Sequence, residues 1–155
     1  SGVVFVPALT GLGAPHWDPD AKGTILGITR GTTKNHLARA TLDAIAFQVR
    51  DLVTAISADT KIKPTSLRVD GGAAKNNLLM QLQANCLGVP VIRGMDLEST
   101  ALGAAFLAGL GAGVWSSKEE LRKVFELDRN FDPEPFDEEI FESWTKAVEL
   151  STMWK

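Results

Sequence analysis

The sequence is poor in cysteine, in basic charge and in long apolar runs, and each shortage excludes a class of protein. Its one cysteine, Cys86, can form neither an internal disulfide nor a multi-cysteine metal site, which agrees with a reducing, cytoplasmic setting. Sixteen Lys and Arg against nineteen Asp and Glu give a net charge of −3. Because the basic residues are also scattered, we do not expect a nucleic-acid partner. No apolar run approaches the ~20 residues of a membrane span, and no secretory signal precedes the first strand.

The chain also lacks an initiator methionine and begins directly in a predicted strand. We therefore treat it as a fragment of a longer polypeptide. Its 155 residues suffice for one compact domain, which would bury roughly 70% of the surface of the unfolded chain. The sequence contains no internal repeat and no low-complexity tract.

The most informative stretch is Leu67–Leu79, in which Gly71 and Gly72 separate a predicted strand from a predicted helix. Before the glycines, apolar and polar residues alternate at the strand period, and after them apolar residues recur at helical spacing. The turn thus follows the carboxyl end of a strand, where open α/β sheets bind ligands. A helix that begins there offers unpaired N–H groups and a positive dipole end. Since glycine has no Cβ, a flat base or a phosphate can lie against this main chain.

Two alternatives stay open at this turn. The two glycines can serve turn geometry alone, or they can make room for a ligand. Asn76, a few residues later, can cap the helix or reach outward to that ligand. A cap would cost about 1 kcal/mol of stability when changed to alanine, with little effect on binding. A ligand contact would show the reverse.

The N-terminal part predicts a strand at 3–6, a loop at 10–20 and a second strand at 23–28. The loop begins a G-x-G pattern but lacks the third glycine and the helix of a dinucleotide-binding fingerprint. His16 and Asp18 in this loop could be an acid–base pair. At two residues apart in a loop, a hydrogen-bonded structural pair is the better interpretation.

Helical periodicity predicts a long helix that Asn35 caps and that ends near Asp59. Its apolar stripe is predicted to be Leu42, Ile45, Val49, Leu52 and Ile56. Its alanines, Ala38, Ala40, Ala44 and Ala46, predict close packing on the sheet.

The remaining elements have shorter signals. A short strand at 89–92 contains Pro90, which predicts a position at or near a sheet edge. Ser99 is predicted to cap a helix rich in small residues. Its Gly103 and Gly109 would either pack against the glycine turn or its ligand, or reflect a helix crowded by the sheet, and the sequence does not separate these alternatives. Ser117 and Asp137 are predicted to cap two further helices, a short one and a terminal one that docks on the body. A linker is predicted at 130–135.

This order of strands and helices predicts an α/β sheet with some parallel crossovers. The segment Gly23–Asp43 resembles the C-terminal signature of the FGGY family of carbohydrate kinases. Three further segments, Phe5–Pro19, Arg68–Ala73 and Thr100–Gly109, resemble the members of that family that phosphorylate glycerol.

The resemblance implies an RNase-H-like (actin-like ATPase) domain, truncated at its N-terminal side and with a C-terminal helical extension. Residues 1–155 would be most of the C-terminal, nucleotide-side domain, and the absent upstream domain would be its partner in clamping ATP and glycerol. In the family, the second glycine of the turn and the asparagine four residues later contact the nucleotide, which implies Gly72 and Asn76. With Gly71, chosen on the local pattern, these are the predicted nucleotide-binding residues. On this basis we expect Asn76→Ala to weaken ATP binding and to leave the melting temperature nearly unchanged.

The same resemblance places the catalytic base, the glycerol-binding residues and the main phosphate loops upstream of this chain. We therefore expect neither a catalytic residue nor a metal ligand here, and we expect the isolated chain to be inactive, because phosphoryl transfer depends on positioning and on charge neutralisation by Mg²⁺. ATP and Mg²⁺ would be cofactors of the complete enzyme. A related sugar kinase and a non-catalytic actin-like module remain alternatives, and the oligomeric state is open, a homo-oligomer included.

Overall fold

The computed structural model describes residues 2–124 and 126–154, and this part contains both strands and helices. In chain order they are β1 (Val4–Val6), β2 (Thr24–Leu26), α1 (Lys34–Thr60), β3 (Leu67–Val69), a 3-10 helix (Gly72–Lys75), α2 (Asn77–Leu87), β4 (Val91–Gly94), α3 (Ser99–Gly111), α4 (Lys118–Arg122), β5 (Leu127–Phe131) and α5 (Glu138–Met153). The predicted α/β class is confirmed.

The described strands form two small sheets. β1 and β2 pair antiparallel, and the second sheet has the order β3-β4-β5. β3 and β4 are parallel, with Leu67 opposite Val91, and α2 is the crossover between them. β5 adds to the other side of β4 in the antiparallel direction, with Phe131 opposite Val91. The predicted parallel crossover is therefore present, and it carries the glycine turn.

β4 lies in the middle of its sheet, so the predicted edge position of this strand was wrong. Pro90 lies immediately before the first residue of β4, so its lack of a backbone N–H removes no hydrogen bond from the ladder. Its carbonyl oxygen accepts a hydrogen bond from Leu67 N at 2.9 Å. The proline is thus compatible with a strand that pairs on both sides.

β5 occupies part of the segment that was predicted to be a linker from Asn130 onward. Within β5 only Phe131 is buried, and the residues before it are exposed. A strand with so little apolar alternation gives no strand signal in the sequence. Its place is fixed by pairing with β4 and by the ring of Phe131 in the core.

The long helix begins two residues earlier than predicted, with Thr33 as its N-cap in place of Asn35. The backbone N–H of Thr33 donates a hydrogen bond of 3.1 Å to Nδ1 of His36, and this contact spans the first turn of the helix. The helix ends at Thr60, where Lys61 adopts a left-handed conformation with φ +60°. Its end near Asp59 is confirmed.

α1 packs through its small residues. Three of the four predicted alanines, Ala40, Ala44 and Ala46, are buried, whereas Ala38 is exposed. Leu52 and Ile56 of the predicted stripe are 43% and 50% exposed. Because alanine side chains are short, the backbones of neighbouring elements can approach this part of α1 closely. The last two turns therefore contribute less to the core than the periodicity predicted.

Two clusters of buried side chains form the core. One brings together β1, α1 and α5, and its buried members are Val6, Ala8, Leu12, Ala21, Ala46, Phe47, Cys86, Trp144, Ala147 and Val148. The other lies between the β3-β4-β5 sheet and α2, and its buried members are Ala74, Leu79, Met80, Ala84, Val91 and Phe131. The second cluster includes Ala74 of the 3-10 helix, so the glycine turn is continuous with the core.

The terminal helix α5 docks on the body as predicted. Asp137 caps it, because its Oδ1 accepts a hydrogen bond from Glu139 N at 3.1 Å. Trp144 is 1% exposed, and its Nε1 donates to the carbonyl oxygen of Phe5 at 3.2 Å. Its ring lies beside that of Phe47 in α1, with centroids 5.7 Å apart.

Helix α3 differs from the prediction in its cap and in the role of one glycine. Glu98 is the N-cap, and Ser99 is already helical. Gly109 makes room for the ring of Trp115, because a Cβ at this position would overlap that ring. This contact with Trp115 explains why position 109 is a glycine, and the glycine turn is not needed for the explanation. A Cβ on Gly103 would meet no described atom within 4 Å outside its own helix backbone.

Nowhere between residues 2 and 124 or 126 and 154 is a helix long and apolar enough to span a bilayer.

Candidate functional site

The predicted strand, turn and helix are present, but the chain passes through an extra 3-10 turn. β3 ends at Val69, the 3-10 helix occupies Gly72–Lys75, and α2 begins at Asn77. The first N–H groups of α2 therefore lie farther along the chain than a helix that opens directly at the glycines would place them. The two glycines and Asn76 bracket the 3-10 helix, so all three predicted site residues lie on one short segment.

Positions 71 and 72 are both glycine, but the structure explains only the first of them. Gly71 adopts φ +80° and ψ 174°, a region that is essentially restricted to glycine. Gly72 has no positive φ, and a Cβ added to it would meet no described atom within 4 Å. Turn geometry thus explains Gly71 fully. It does not explain Gly72, which is exposed on the surface of the turn.

Asn76 caps α2, which was one of the two roles predicted for it. Its Oδ1 accepts a hydrogen bond from Leu79 N at 3.1 Å. Our expectation that Asn76→Ala would leave the melting temperature unchanged is therefore corrected, because this substitution removes a cap. The side chain is exposed, and within the described residues its Nδ2 amide makes no hydrogen bond. The oxygen is thus used locally, while the two amide hydrogens remain available to a ligand.

The turn is anchored to the neighbouring strand at two points. Gly71 N donates to the carbonyl oxygen of Leu97, after β4, at 2.9 Å. Nη1 of Arg93 donates to the carbonyl oxygen of Ala74 at 2.6 Å, inside the 3-10 helix. Both anchors come from β4 and the segment that follows it, so the position of the turn depends on that strand.

Arg93 was missed as a functional candidate, although the sequence contains a signal for it. Position 93 shares a face with the buried Val91, and an arginine on a buried face needs a partner. That partner is Asp128 of β5, whose Oδ2 lies 2.6 Å from Arg93 Nε. The guanidinium also lies over the ring of Phe131, 5.3 Å from its centroid. The partner could not be predicted, because β5 was not.

A cavity of about 290 Å³ lies next to the turn, between one face of the β3–β4 pair and the start of α3. Asp70, the residue before the glycines, lines it together with Arg68, Ile92, Ser99 and Leu102. This volume is near the lower limit for a small-molecule site. A larger cavity of about 700 Å³ lies elsewhere, between the carboxyl-terminal ends of α1 and α2. Gly71, Gly72 and Asn76 line neither of these two cavities.

His16 has a structural partner, but not the predicted one. Its Nε2 lies 2.9 Å from Oδ2 of Asp51 in α1, so the pair ties the loop to the long helix. The side chain of Asp18 instead accepts hydrogen bonds from the backbone N–H groups of Asp20 and Ala21. The structural interpretation of His16 is supported, and the partner that the structure shows for its ring is Asp51.

Cys86 is buried on the apolar side of α2, as predicted, and is 4% exposed. Burial raises the pKa of its thiol to about 11, although the nearby Arg50 guanidinium acts in the opposite direction. A thiol with this pKa is protonated at neutral pH and is a poor nucleophile. In the described part of the chain, no three His, Cys, Asp or Glu side chains are grouped so that they could hold a metal ion.

Comparison with known proteins supports a single family. The C-terminal domain of the FGGY family of carbohydrate kinases matches residues 1–112. The chain is 55% identical over 156 residues to a glycerol kinase of Trichlorobacter lovleyi, covering 99% of this chain and 32% of that protein. It is 53% identical over 157 residues to glycerol kinase 2 of Thermotoga maritima, again covering 99% of this chain and 32% of the relative. The chain thus spans about a third of the length of the curated relatives that it matches.

Solved structures agree with this. A glycerol kinase of Plasmodium falciparum, crystallised with ADP, superimposes with a TM-score of 0.84 at 36% identity, over 97% of this chain and 31% of that one. A ligand-bound xylulose kinase of Lactobacillus acidophilus superimposes with a TM-score of 0.70 at 30% identity, over 97% of this chain and 30% of that one. The predicted RNase-H-like, actin-like ATPase class is therefore confirmed.

Proposed function

Because the chain belongs to the FGGY family of carbohydrate kinases, we propose that it is the nucleotide-binding part of an ATP-dependent kinase that phosphorylates glycerol. In this proposal, residues 1–155 belong to the nucleotide-side domain, and a preceding domain supplies the substrate pocket. The transfer is the attack of a glycerol hydroxyl oxygen on the γ-phosphorus of ATP, which forms glycerol phosphate and releases ADP and a proton.

The observation that carries the proposal is the open face of Gly72. Apart from its chain neighbours, no described residue places an atom within 4 Å of a Cβ built on Gly72, and its φ is one that other residues adopt. A ligand that lies flat against the main chain would give a reason for glycine there. The Plasmodium falciparum glycerol kinase to which this chain is similar was crystallised with ADP. We therefore assign Gly71, Gly72 and Asn76 to the nucleotide.

Glycerol is favoured over a sugar by the comparisons. Identity to the three glycerol kinases noted above is 36–55%, whereas identity to the xylulose kinase is 30%. The residues that would contact the hydroxyl groups of the substrate are not assigned to this chain. The choice between substrates is therefore tested on the full-length polypeptide.

In the proposal, the described residues bind and orient the nucleotide but take no part in proton transfer. Gly72 allows the base or ribose to approach the backbone, and the Nδ2 amide of Asn76 donates a hydrogen bond to it. Such positioning is a large part of catalysis in phosphoryl transfer. Mg²⁺ would neutralise charge on the phosphates, and we assign it to no residue of this chain.

The test is nucleotide binding by the full-length polypeptide with Gly72 changed to valine. A Cβ at this position has no described atom within 4 Å apart from its chain neighbours, so we expect the fold to be kept. We expect ADP affinity, measured by isothermal titration calorimetry, to fall about ten-fold or more, which corresponds to ~1.4 kcal/mol.

The matched control is Gly13→Val, since Gly13 is also exposed, lacks a positive φ and has open space around it. This variant should bind ADP as the wild type does. Turnover is then measured with glycerol and with xylulose as acceptors, and only glycerol should support it at high efficiency. A folded Gly72→Val protein with wild-type ADP affinity would refute the site assignment.

A further inference from the structure

The buried guanidinium of Arg93 connects β4, β5 and the glycine turn. The side chain of Arg93 is 10% exposed, and its Nε and Nη1 each donate a hydrogen bond of 2.6 Å. The acceptors are the carboxylate of Asp128 and the carbonyl oxygen of Ala74. Because a guanidinium is planar and rigid, the position of one acceptor fixes the direction in which the other is held.

The acceptor on the turn has no access to water that could replace this contact. Ala74 is 2% exposed and belongs to the buried cluster under the sheet. A carbonyl that loses its partner in such a place carries the full cost of desolvation, so the peptide would turn to find another donor. Ala74 lies two residues after Gly72 and two before Asn76, so any such rotation moves both.

The face of the turn opposite to Ala74 is open. A Cβ on Gly71 or Gly72 would meet no described atom, and the side chain of Asn76 is exposed. The contact from Gly71 N to Leu97 O holds the first residue, and the cap from Asn76 Oδ1 to Leu79 N ties the last one to α2. Between these two points, Arg93 holds the 3-10 helix through the carbonyl oxygen of Ala74.

We propose that Arg93, held in place by Asp128, is a positioning residue for nucleotide binding: it sets the orientation of the Gly72–Asn76 segment through the carbonyl of Ala74. This inference rests on the proposed function of that segment. It assigns a role in nucleotide affinity to a strand and to a charged pair that do not touch the nucleotide.

Two substitutions in the full-length polypeptide separate positioning from simple stability. Arg93→Lys keeps the charge but replaces the two-pronged donor by a single ammonium group, which cannot reproduce both contacts. Asp128→Asn keeps an oxygen at the same place but weakens the hold on Arg93. The matched control is Arg129→Met, because Arg129 lies opposite Arg93 in the register and over the same Phe131 ring, but makes no contact with the turn.

We expect Arg93→Lys to weaken ADP binding by roughly five- to twenty-fold at a temperature well below its melting temperature, which is at or below the lower end of the effect of a lost charged hydrogen bond, because lysine keeps the charge and Arg93 acts indirectly. Asp128→Asn should give a smaller loss, about two- to four-fold, and Arg129→Met none. The KM for glycerol should not change in any of them. Combining Arg93→Lys with Asn76→Ala should give less than the product of the separate losses, because both act through one segment.

The outcomes are distinct from those that test the site itself. If Gly72→Val weakens ADP binding while folded Arg93→Lys and Asp128→Asn only lower the melting temperature, the positioning role is wrong and the site assignment stands. If Gly72→Val has no effect on ADP binding, the site assignment fails and the positioning role falls with it. If Arg93→Lys does not fold, Asp128→Asn decides by the same comparison with Arg129→Met.

Discussion

Oδ1 of Asn76 lies 3.1 Å from the backbone nitrogen of Leu79, so the asparagine that follows the glycine turn is the N-cap of α2. The same side chain is exposed, and its amide hydrogens point to no described acceptor. One residue therefore combines a structural role, through its oxygen, with a proposed ligand role, through its nitrogen.

These two roles of Asn76 can be separated by substitution. Asn76→Ala should lower the stability of the full-length polypeptide by about 1 kcal/mol and also weaken ATP binding, by roughly two- to twelve-fold. Asn76→Ser keeps a capping oxygen but is too short to reach outward, so its melting temperature should stay near that of the wild type while ATP binding is still weakened. Calorimetric unfolding and ATP titration measure the two effects. Wild-type ATP affinity in both variants would leave Asn76 with its cap alone.

The two glycines should respond differently to alanine. Gly71 has φ +80° and ψ 174°, a conformation that costs alanine about 1–3 kcal/mol, so Gly71→Ala should lower the melting temperature clearly. Gly72→Ala should leave it nearly unchanged, since neither backbone angle nor space opposes a Cβ there. Thermal unfolding of both variants is the measurement. Equal losses of stability would contradict the backbone conformation described for this turn.

The buried thiol of Cys86 predicts a pH dependence of stability. Its pKa is raised from 9.0 to about 11 in the folded chain, so between these values the unfolded state loses a proton that the folded state keeps. Stability from this group is complete below pH ~9 and is lost as the pH rises toward 11, by at most about 1.4 kcal/mol per pH unit.

The comparison for this effect is Cys86→Ala, which should show a shallower loss of stability over the same alkaline range. At neutral pH the thiol should also resist alkylation by iodoacetamide in the native state, as followed by mass spectrometry of the peptide that contains it. Rapid native-state labelling at pH 7 would show that the thiol is neither buried nor raised in pKa.

The isolated 155-residue chain should show no glycerol-dependent turnover of ATP. The proposal assigns the catalytic base and the glycerol contacts to the rest of the polypeptide, and a nucleotide site alone does not place the two reactants together. A coupled assay for ADP release, with the full-length polypeptide as the positive control, makes the measurement. Turnover that persists after removal of contaminating kinases would overturn this division of roles.

Much of the fold follows from local patterns in the sequence. The period change across Gly71 and Gly72 predicted the strand and helix on either side, because one face of each is buried. Asp137 gave the start of α5, since a capping oxygen acts within its own turn. Such signals are short in range and need no knowledge of the tertiary structure.

The failures have the opposite character. β5 is recognisable only once β4 is in place, because its pairing is decided by a strand more than 30 residues away. The partner of His16 is Asp51, 35 residues along the chain, and that of Arg93 is Asp128, also 35 residues away. Sequence proximity favoured Asp18 for His16, whereas the fold brings a residue of α1 to it. Contacts set by topology thus define the supports of the candidate site, which local patterns could not predict.

The most direct measurement of the central proposal is a crystal structure of the full-length polypeptide with ADP. The account predicts the nucleotide over the glycine turn, with its base or ribose in van der Waals contact with Gly72 and an acceptor atom within hydrogen-bond distance of Asn76 Nδ2. ADP bound elsewhere, for example in the 700 Å³ cavity between the ends of α1 and α2, with the turn unoccupied, would contradict it.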